Sequence, residues 1–242
     1  MDITDKTVFI TGANRGIGHA LVLEALGRGA RRVYAASRSG IDIVDPRLFR
    51  VLLDVTNGSH ITAASGAVGE LDLLINNAGV ATYGDLANLD DLEQHLAVNL
   101  FGTLNVSRAF LPQLGRSHGA IVNLLSLAGI ASVPIMPAYS ISKAAALNLT
   151  QSLRSFLAPA GVRVHSVLLG PIDTDMTRGL HLPKTAPAMA ARGIFDGLAA
   201  GDEDIFPDPA SQRLADSWNG GVSKELERQF RAFMLDAPSA LA

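Results

Sequence analysis

The chain has 242 residues, with 20 basic against 23 acidic side chains, a formal net charge of −3 and no long block of either sign. That balance excludes a basic nucleic-acid footprint and a polybasic membrane patch. The lack of cysteine excludes disulfide frameworks and thiolate metal sites. The length suits one large α/β domain over residues 1–242. Residues 1–6 carry neither a basic region nor an apolar leader core, and no run approaches about 18 uninterrupted apolar residues, so the expectation is a soluble, cytoplasmic protein with no membrane partner.

Val8-Phe9-Ile10 reads as a first strand. It runs into Thr11-Gly12-Ala13-Asn14-Arg15-Gly16-Ile17-Gly18, a glycine turn opening a helix in which Ile17, Leu21 and Ala25 recur at helical spacing until Gly27 and Gly29 end it. Backbone N–H groups at such a helix start can face a diphosphate, with glycine wherever a side chain would block the approach. The spacing is G-x-x-x-G-x-G and not the G-x-G-x-x-G fingerprint, so the turn alone is a weak sign of a dinucleotide site. Residues 32–36 form the next apolar run, completing a βαβ unit.

Further apolar runs follow at 50–53, 71–75 and 121–125, with a helix over 61–68 and a longer one from 89 to 114, near whose end Pro112 is tolerated. A helix over 139–157 stops at Pro159 and Gly161, residues 162–169 are a sixth run, and 204–206 a weaker seventh. Short continuous apolar strands alternating with helices predict one doubly wound parallel sheet, Rossmann-like, with helices on both faces. Residues 173–188 break the rhythm with Gly179, Pro183 and Pro187 among Met176, Leu180 and Leu182. Beyond the end of a parallel strand, where such sheets bind ligands, this reads as a mobile substrate lid. A last helix over 223–234 is amphipathic, with Leu226, Phe230, Phe233 and Met234 on one side and Lys224, Glu227, Arg228 and Arg231 on the other, so its apolar side is expected to pack on the sheet.

In dinucleotide folds an acid about 20 residues past the glycine turn accepts the adenine-ribose hydroxyls, whereas arginine there accommodates a 2′-phosphate. Here the second strand ends in Ser37-Arg38-Ser39, and Arg15 adds a second cation, which favours NADP over NAD. Asp54 is placed either to accept from the adenine amino group or to cap the following helix. Asn76-Asn77-Ala78-Gly79 closes the fourth run with small residues suited to close packing against a cofactor. The sharpest signal is Tyr139-Ser140-Ile141-Ser142-Lys143. Residues i and i+4 share a helix face, so an ammonium beside the phenol would lower its pKa and make Tyr139 a general acid near neutral pH. Ser126, at the end of the fifth run, can hold a carbonyl while Tyr139 protonates it. Asn99 lies as a lone polar residue between Val98 and Leu100.

Taken together in this order, these motifs resemble the short-chain dehydrogenase/reductase family over residues 5 to about 200. The resemblance implies a catalytic tetrad of Asn99, Ser126, Tyr139 and Lys143, with Tyr139 as acid/base, Ser126 orienting the carbonyl, Lys143 also holding the nicotinamide ribose and Asn99 supporting a water relay. It implies NADP(H) contacts at Gly12, Asn14, Arg15, Gly16, Ile17, Gly18, Ser37, Arg38, Asp54, Val55, Asn77, Ala78, Gly79, Pro171, Ile172 and Thr174. It also implies a homo-oligomer, although the charged C-terminal helix replaces the strand and glycine-rich tail that build tetramers in many relatives. Gly170-Pro171 stands where the family shows Pro-Gly.

The expected reaction is hydride transfer between NADP(H) and a carbonyl or secondary alcohol. Met176, Leu180, Leu182, Ile130, Val133 and Met136 suggest an apolar pocket, hence a hydrophobic ketone, aldehyde or quinone. A dinucleotide-binding sensor without turnover is the alternative, against which the trio Tyr139, Lys143 and Ser126 stands. An epimerase would need a larger substrate region than the chain has after Gly170. The histidines at 19, 60, 95, 118, 165 and 181 lack the spacing of a metal hydrolase, so no metal site is expected.

Overall fold

The computed structural model describes the backbone of residues 1–236 and the side chains of residues 1–232. Seven strands form one sheet in the order β3-β2-β1-β4-β5-β6-β7, every neighbouring pair parallel. They are β1 (Thr7–Thr11), β2 (Arg32–Ser37), β3 (Leu48–Leu52), β4 (Leu73–Asn76), β5 (Ala120–Leu124), β6 (Arg163–Val167) and β7 (Asp204–Ile205). All seven expected runs are present, with ends displaced by a few residues. The helices are α1 (Gly16–Gly27), α2 (Gly58–Ala67), α3 (Leu89–Leu96), α4 (Thr103–Ser117), α5 (Pro137–Leu157), α6 (Pro187–Ala200), α7 (Pro209–Gln212), α8 (Ala215–Asn219) and α9 (Val222–Asp236). Among the described residues no helix is long and apolar enough to cross a membrane.

Strands β1, β4 and β5 are buried throughout, because apolar layers cover both faces of the sheet. One layer joins α1 and α6 through Leu21, Val22, Ile194 and Phe195. The other joins α2, α4 and α5 through Ile61, Val106, Phe110 and Leu153. The strand order reverses direction between β1 and β4, and ligands of such sheets bind at the carboxyl ends beside that point.

Three expectations need correction. The helix expected over 89–114 is two helices separated by a π turn, Ala97–Gly102, and α4 continues past Pro112 to Ser117. The π turn contains Asn99, and such turns are enriched at functional sites because an extra residue re-aims side chains inward. Residues 173–188 are not bare loop. They hold a one-turn 3₁₀ helix, Asp175–Thr177, a parallel bridge between Ile172 and Thr185 and the first turn of α6.

The third correction concerns α9, whose polarity is inverted. Lys224 and Glu227 are buried, whereas Val222, Leu226 and Phe230 are exposed by 76%, 41% and 67%. The expected positions of the Phe233 and Met234 side chains lie outside the described residues. Charge holds the helix in this orientation. Lys224 Nζ lies 2.7 Å from Asp204 and 3.0 Å from both Glu203 and Glu227, while Arg154 of α5 pairs with Asp204 at 2.8 Å and with Glu227. Arg154 also donates to the carbonyl of Val164, and Trp218 Nε1 donates to Asp204. Burial disfavours the charge on Asp204, yet Arg154 and Lys224 outweigh it and hold this carboxyl well below the usual range. Burial likewise opposes ionisation of Glu203, but Arg231, Lys224 and Arg154 bring it down to about 2.

Removing one partner of a buried ion pair strands a charge and costs about 3–5 kcal/mol. Arg154→Met is therefore expected to destabilise the fold by that amount in urea denaturation near neutral pH. Depressed carboxylates contribute stability that is fully present above their unfolded pKa values and lost as pH falls through the folded ones. Wild-type stability should thus decline as pH drops from about 4.5 towards about 2, with a shallower acid limb in Asp204→Asn. A variant of either kind with an unchanged urea midpoint would contradict this role.

Candidate active site

The site begins where β1 turns into α1. Gly12 and Gly16 take φ of +64° and +55°, a backbone region open to glycine. A Cβ on Gly18 would lie 2.1 Å from the carbonyl oxygen of Gly12 and 2.5 Å from Nδ2 of Asn77, so the turn closes only on a hydrogen atom there. Asn77 fastens it from β4: its Nδ2 donates to the carbonyls of Thr11 at 2.8 Å and Gly12 at 3.0 Å. In return the Thr11 hydroxyl accepts the N–H groups of Asn77 and Ala78. Asn76 points the other way, its amide donating to Ser107 of α4 and to Asn123 of β5.

One cleft receives Gly12, Asn14, Arg15, Gly16, Ile17, Gly18, Ser37, Arg38, Asp54, Val55, Asn77, Ala78, Gly79, Tyr139, Lys143 and Thr174. Pro171 and Ile172 do not line it. Their carbonyls are turned to other partners, that of Pro171 accepting from Thr185 and that of Ile172 from the Thr177 hydroxyl, and the Ile172 side chain is buried. Met176, expected among the apolar pocket residues, lines the cleft together with Asp175 from the 3₁₀ turn; Ser39, Leu53, Val80 and Leu125 line it in addition, and nothing in their spacing marks them, since they arrive there through neighbouring strand ends.

The cleft suits a dinucleotide on the structure's own terms. Its glycine cradle is one that a Cβ would fill, and two cations, Arg15 and Arg38, line it. Arg38 is exposed just past β2, and Asn14 Nδ2 donates to Ser39 Oγ at 3.0 Å, tying the turn to that strand end. Arg15 pairs with Asp175 of the 173–188 segment at 2.9 Å, in an open, solvated geometry. Asp54 does not cap α2; Asn57 does, accepting from Ser59 and His60. Asp54 instead accepts from the backbone and hydroxyl of Thr56, bonds that hold its carboxyl below the ordinary value.

Helix α5 starts at Pro137 and places Tyr139 and Lys143 one turn apart on one face. Lys143 is buried and donates from Nζ to the carbonyl of Leu124 at 2.8 Å. Burial lowers its pKa to about 8. Its Nζ stands 5.8 Å from the Tyr139 ring centroid. The expected lowering of the phenol pKa by this cation is therefore not what the geometry yields: burial pushes the phenol above its ordinary value, and a hydrogen bond with the Ser126 hydroxyl works against that rise. Ser126, which does not line the cleft itself, lies beside Tyr139, and its oxygen accepts the N–H of Ala128.

Asn99 is buried behind the cleft wall. Its Oδ1 accepts the N–H of Val80, and its Nδ2 donates to the Val80 carbonyl and to Ser142 Oγ, all at 2.9 Å. Ser142 donates in turn to the carbonyl of Tyr139. The side-chain amide of Asn99 thereby joins the π turn, the loop after β4 and α5.

A family model described as short chain dehydrogenase matches residues 6–184. The chain belongs to the short-chain dehydrogenase family. Among its relatives, the trans-4-hydroxycyclohexanecarboxylate dehydrogenase of Sinomonas cyclohexanicum is 34% identical over 200 residues, covering 74% of this chain and 76% of its own. A short chain dehydrogenase from Burkholderia cenocepacia solved in complex with NADP is 37% identical with a TM-score of 0.87, covering 98% of this chain and 100% of its own. The NADPH-bound carbonyl reductase from chicken fatty liver is 29% identical with a TM-score of 0.74, over 81% and 91% of the two chains.

Proposed function

We propose that this dehydrogenase uses NADP(H) and interconverts a carbonyl and a secondary alcohol on an apolar substrate, a hydrophobic ketone, aldehyde or quinone. The observation that carries the reading is that Tyr139 and Lys143 line the same cleft as the glycine cradle, Arg15 and Arg38, with the Ser126 hydroxyl beside the phenol. A sensor without turnover would place no demand on that trio.

NADPH, when bound, supplies the hydride. The chain's part is to hold the cofactor and manage one proton. The glycine turn would take the diphosphate, Arg38 and Arg15 the 2′-phosphate, Asp54 the adenine, and Lys143 the nicotinamide ribose. Ser126 would orient the substrate oxygen and the Tyr139 phenol would give it a proton. Burial holds the phenol above its ordinary value, so its proton is present in the neutral range, and the acid strength that transfer requires has to come from the bound ternary arrangement. We further propose one catalytic domain over residues 1–242 with residues 173–188 as its lid, a cytoplasmic setting, and self-association, which exposed Ile141 and Phe156 on α5 and Leu226 and Phe230 on α9 support.

Losing a positioned general acid costs about 10²–10⁴ in rate. Tyr139→Phe should lower hydride transfer by that factor with NADPH affinity intact, whereas Lys143→Met should impair both. Since the lysine gives up its proton above about pH 8, wild-type NADPH affinity should fall as pH rises through that value, and Lys143→Met should lose this dependence. Stopped-flow reduction of a carbonyl panel and cofactor titration decide it; a Tyr139→Phe enzyme at wild-type rate would sink the mechanism.

A charged hydrogen bond contributes about 1.5–3 kcal/mol. Arg38→Ala should therefore weaken NADPH about tenfold to a hundredfold and barely touch NADH. Equal losses for both would remove the phosphate-reading role.

For the lid, amide hydrogen exchange over residues 173–188 should be fast in the free protein and slow with cofactor and substrate together. Strong protection in the free protein would show a fixed segment instead.

A further inference from the structure

His95 lies on α3 one turn before Asn99 and is fully buried. Its ring meets that of Tyr139 edge-on, with centroids 6.4 Å apart. Both ring nitrogens are in use. Nε2 accepts the backbone N–H of Thr82 at 3.1 Å, which fixes the neutral tautomer whose Nδ1–H donates to the carbonyl of Asp91.

Thr82 belongs to the loop that leaves β4 past Gly79, and this loop is held at three points. Asn99 holds Val80, His95 holds Thr82, and the Ile135 carbonyl accepts the N–H of Gly84 at 3.1 Å. The segment around Ile135 is in turn tied to α5, where Ser140 Oγ accepts the N–H of Val133. Tyr83, Ile130 and Ile135, the apolar side chains these two loops present, are exposed. His95 therefore connects the Tyr139 ring to the loop that carries part of this apolar rim.

We propose that His95 is a positioning residue, setting the rim segment 80–84 and the ring of Tyr139 in register with each other and so helping to select an apolar carbonyl substrate. The substrate-selecting part rests on the reading of Tyr139 as the acid. Leucine at this position fills a similar volume but leaves the Thr82 N–H without an acceptor and takes the ring edge from Tyr139. Glutamine restores an acceptor but not the ring.

The test compares wild type, His95→Leu and His95→Gln by NADPH titration, steady-state reduction of an apolar carbonyl panel and amide hydrogen exchange over residues 80–84. NADPH affinity should be unchanged within about twofold in both variants, because no cofactor-facing group is altered. In His95→Leu, exchange at Thr82 and Gly84 should accelerate about tenfold or more, KM should rise about tenfold and kcat fall severalfold, as expected for one lost buried hydrogen bond. His95→Gln should recover most of the exchange protection and of KM, with kcat still reduced. A lowered melting temperature with unchanged exchange over 80–84 and unchanged KM per folded molecule would overturn the proposal. If wild type reduced no member of the panel, the acid role of Tyr139 and the selecting role of His95 would fail together, whereas the exchange measurement alone would still decide the clamp.

Discussion

The arrangement depends on how closely two backbones pass at the end of β1. The carbonyl of Gly12 sits where a Cβ of Gly18 would be, 2.1 Å away, and Asn77 bridges the same point from β4. Any larger residue at position 18 would push α1 off the sheet or open the turn. Because the strand order reverses between β1 and β4, the closeness fixes three things at once: the entry angle of α1, the separation of two strand ends and the floor of the cleft. The loop after β4 then leaves from a fixed point, which lets Asn99 catch it with two hydrogen bonds and His95 with one.

Helix α5 carries Tyr139 and Lys143, and it is tied down near both ends. Near its start, Lys143 reaches the carbonyl of Leu124 and Ser142 receives the amide of Asn99. Near its finish, Arg154 reaches the carbonyl of Val164 and the carboxylates of Asp204 and Glu227. A rigid helix held this way keeps Tyr139 where Ser126 can meet it. Positioning within about 0.5 Å is what separates an assembled site from residues that merely share a cleft.

The parallel sheet was legible from the chain because its runs are short, continuous and apolar, and burial on both faces leaves no other pattern. The cleft was legible at Gly12, Gly16 and Gly18 for a related reason, since close approach restricts a position to one residue type. Lys143 and Tyr139 were legible by helical spacing. Other features were not. The π turn at Asn99 leaves no mark in periodicity, because one extra residue in a helix still reads as helix. That Pro171 and Ile172 lie off the cleft lining was not legible, because adjacency to a strand end does not say which way the chain turns. Helix α9 misled most. Its stripe of Val222, Leu226 and Phe230 has the periodicity of a core-facing helix, but the interior it meets already holds Arg154, Glu203 and Asp204, so the charged stripe is the complementary one. Hydrophobic periodicity assigns a face only when the partner surface is apolar.

Two buried lysines show how the interior separates structure from chemistry. Lys224 is surrounded by Glu203, Asp204 and Glu227, all within 3.0 Å. Its charge is matched where it stands, and its place is explained by the fold. Lys143 is buried to a similar degree, yet among the described residues it forms no salt bridge, and its bond to Leu124 is to a neutral carbonyl. Burial alone brings it to about 8, the signature of a cation left uncompensated by its own chain. A fold with no use for that charge would place an apolar residue there at lower cost. The place of Lys143 is therefore explained not by an ion pair within the fold but by the cleft it lines beside the Tyr139 ring.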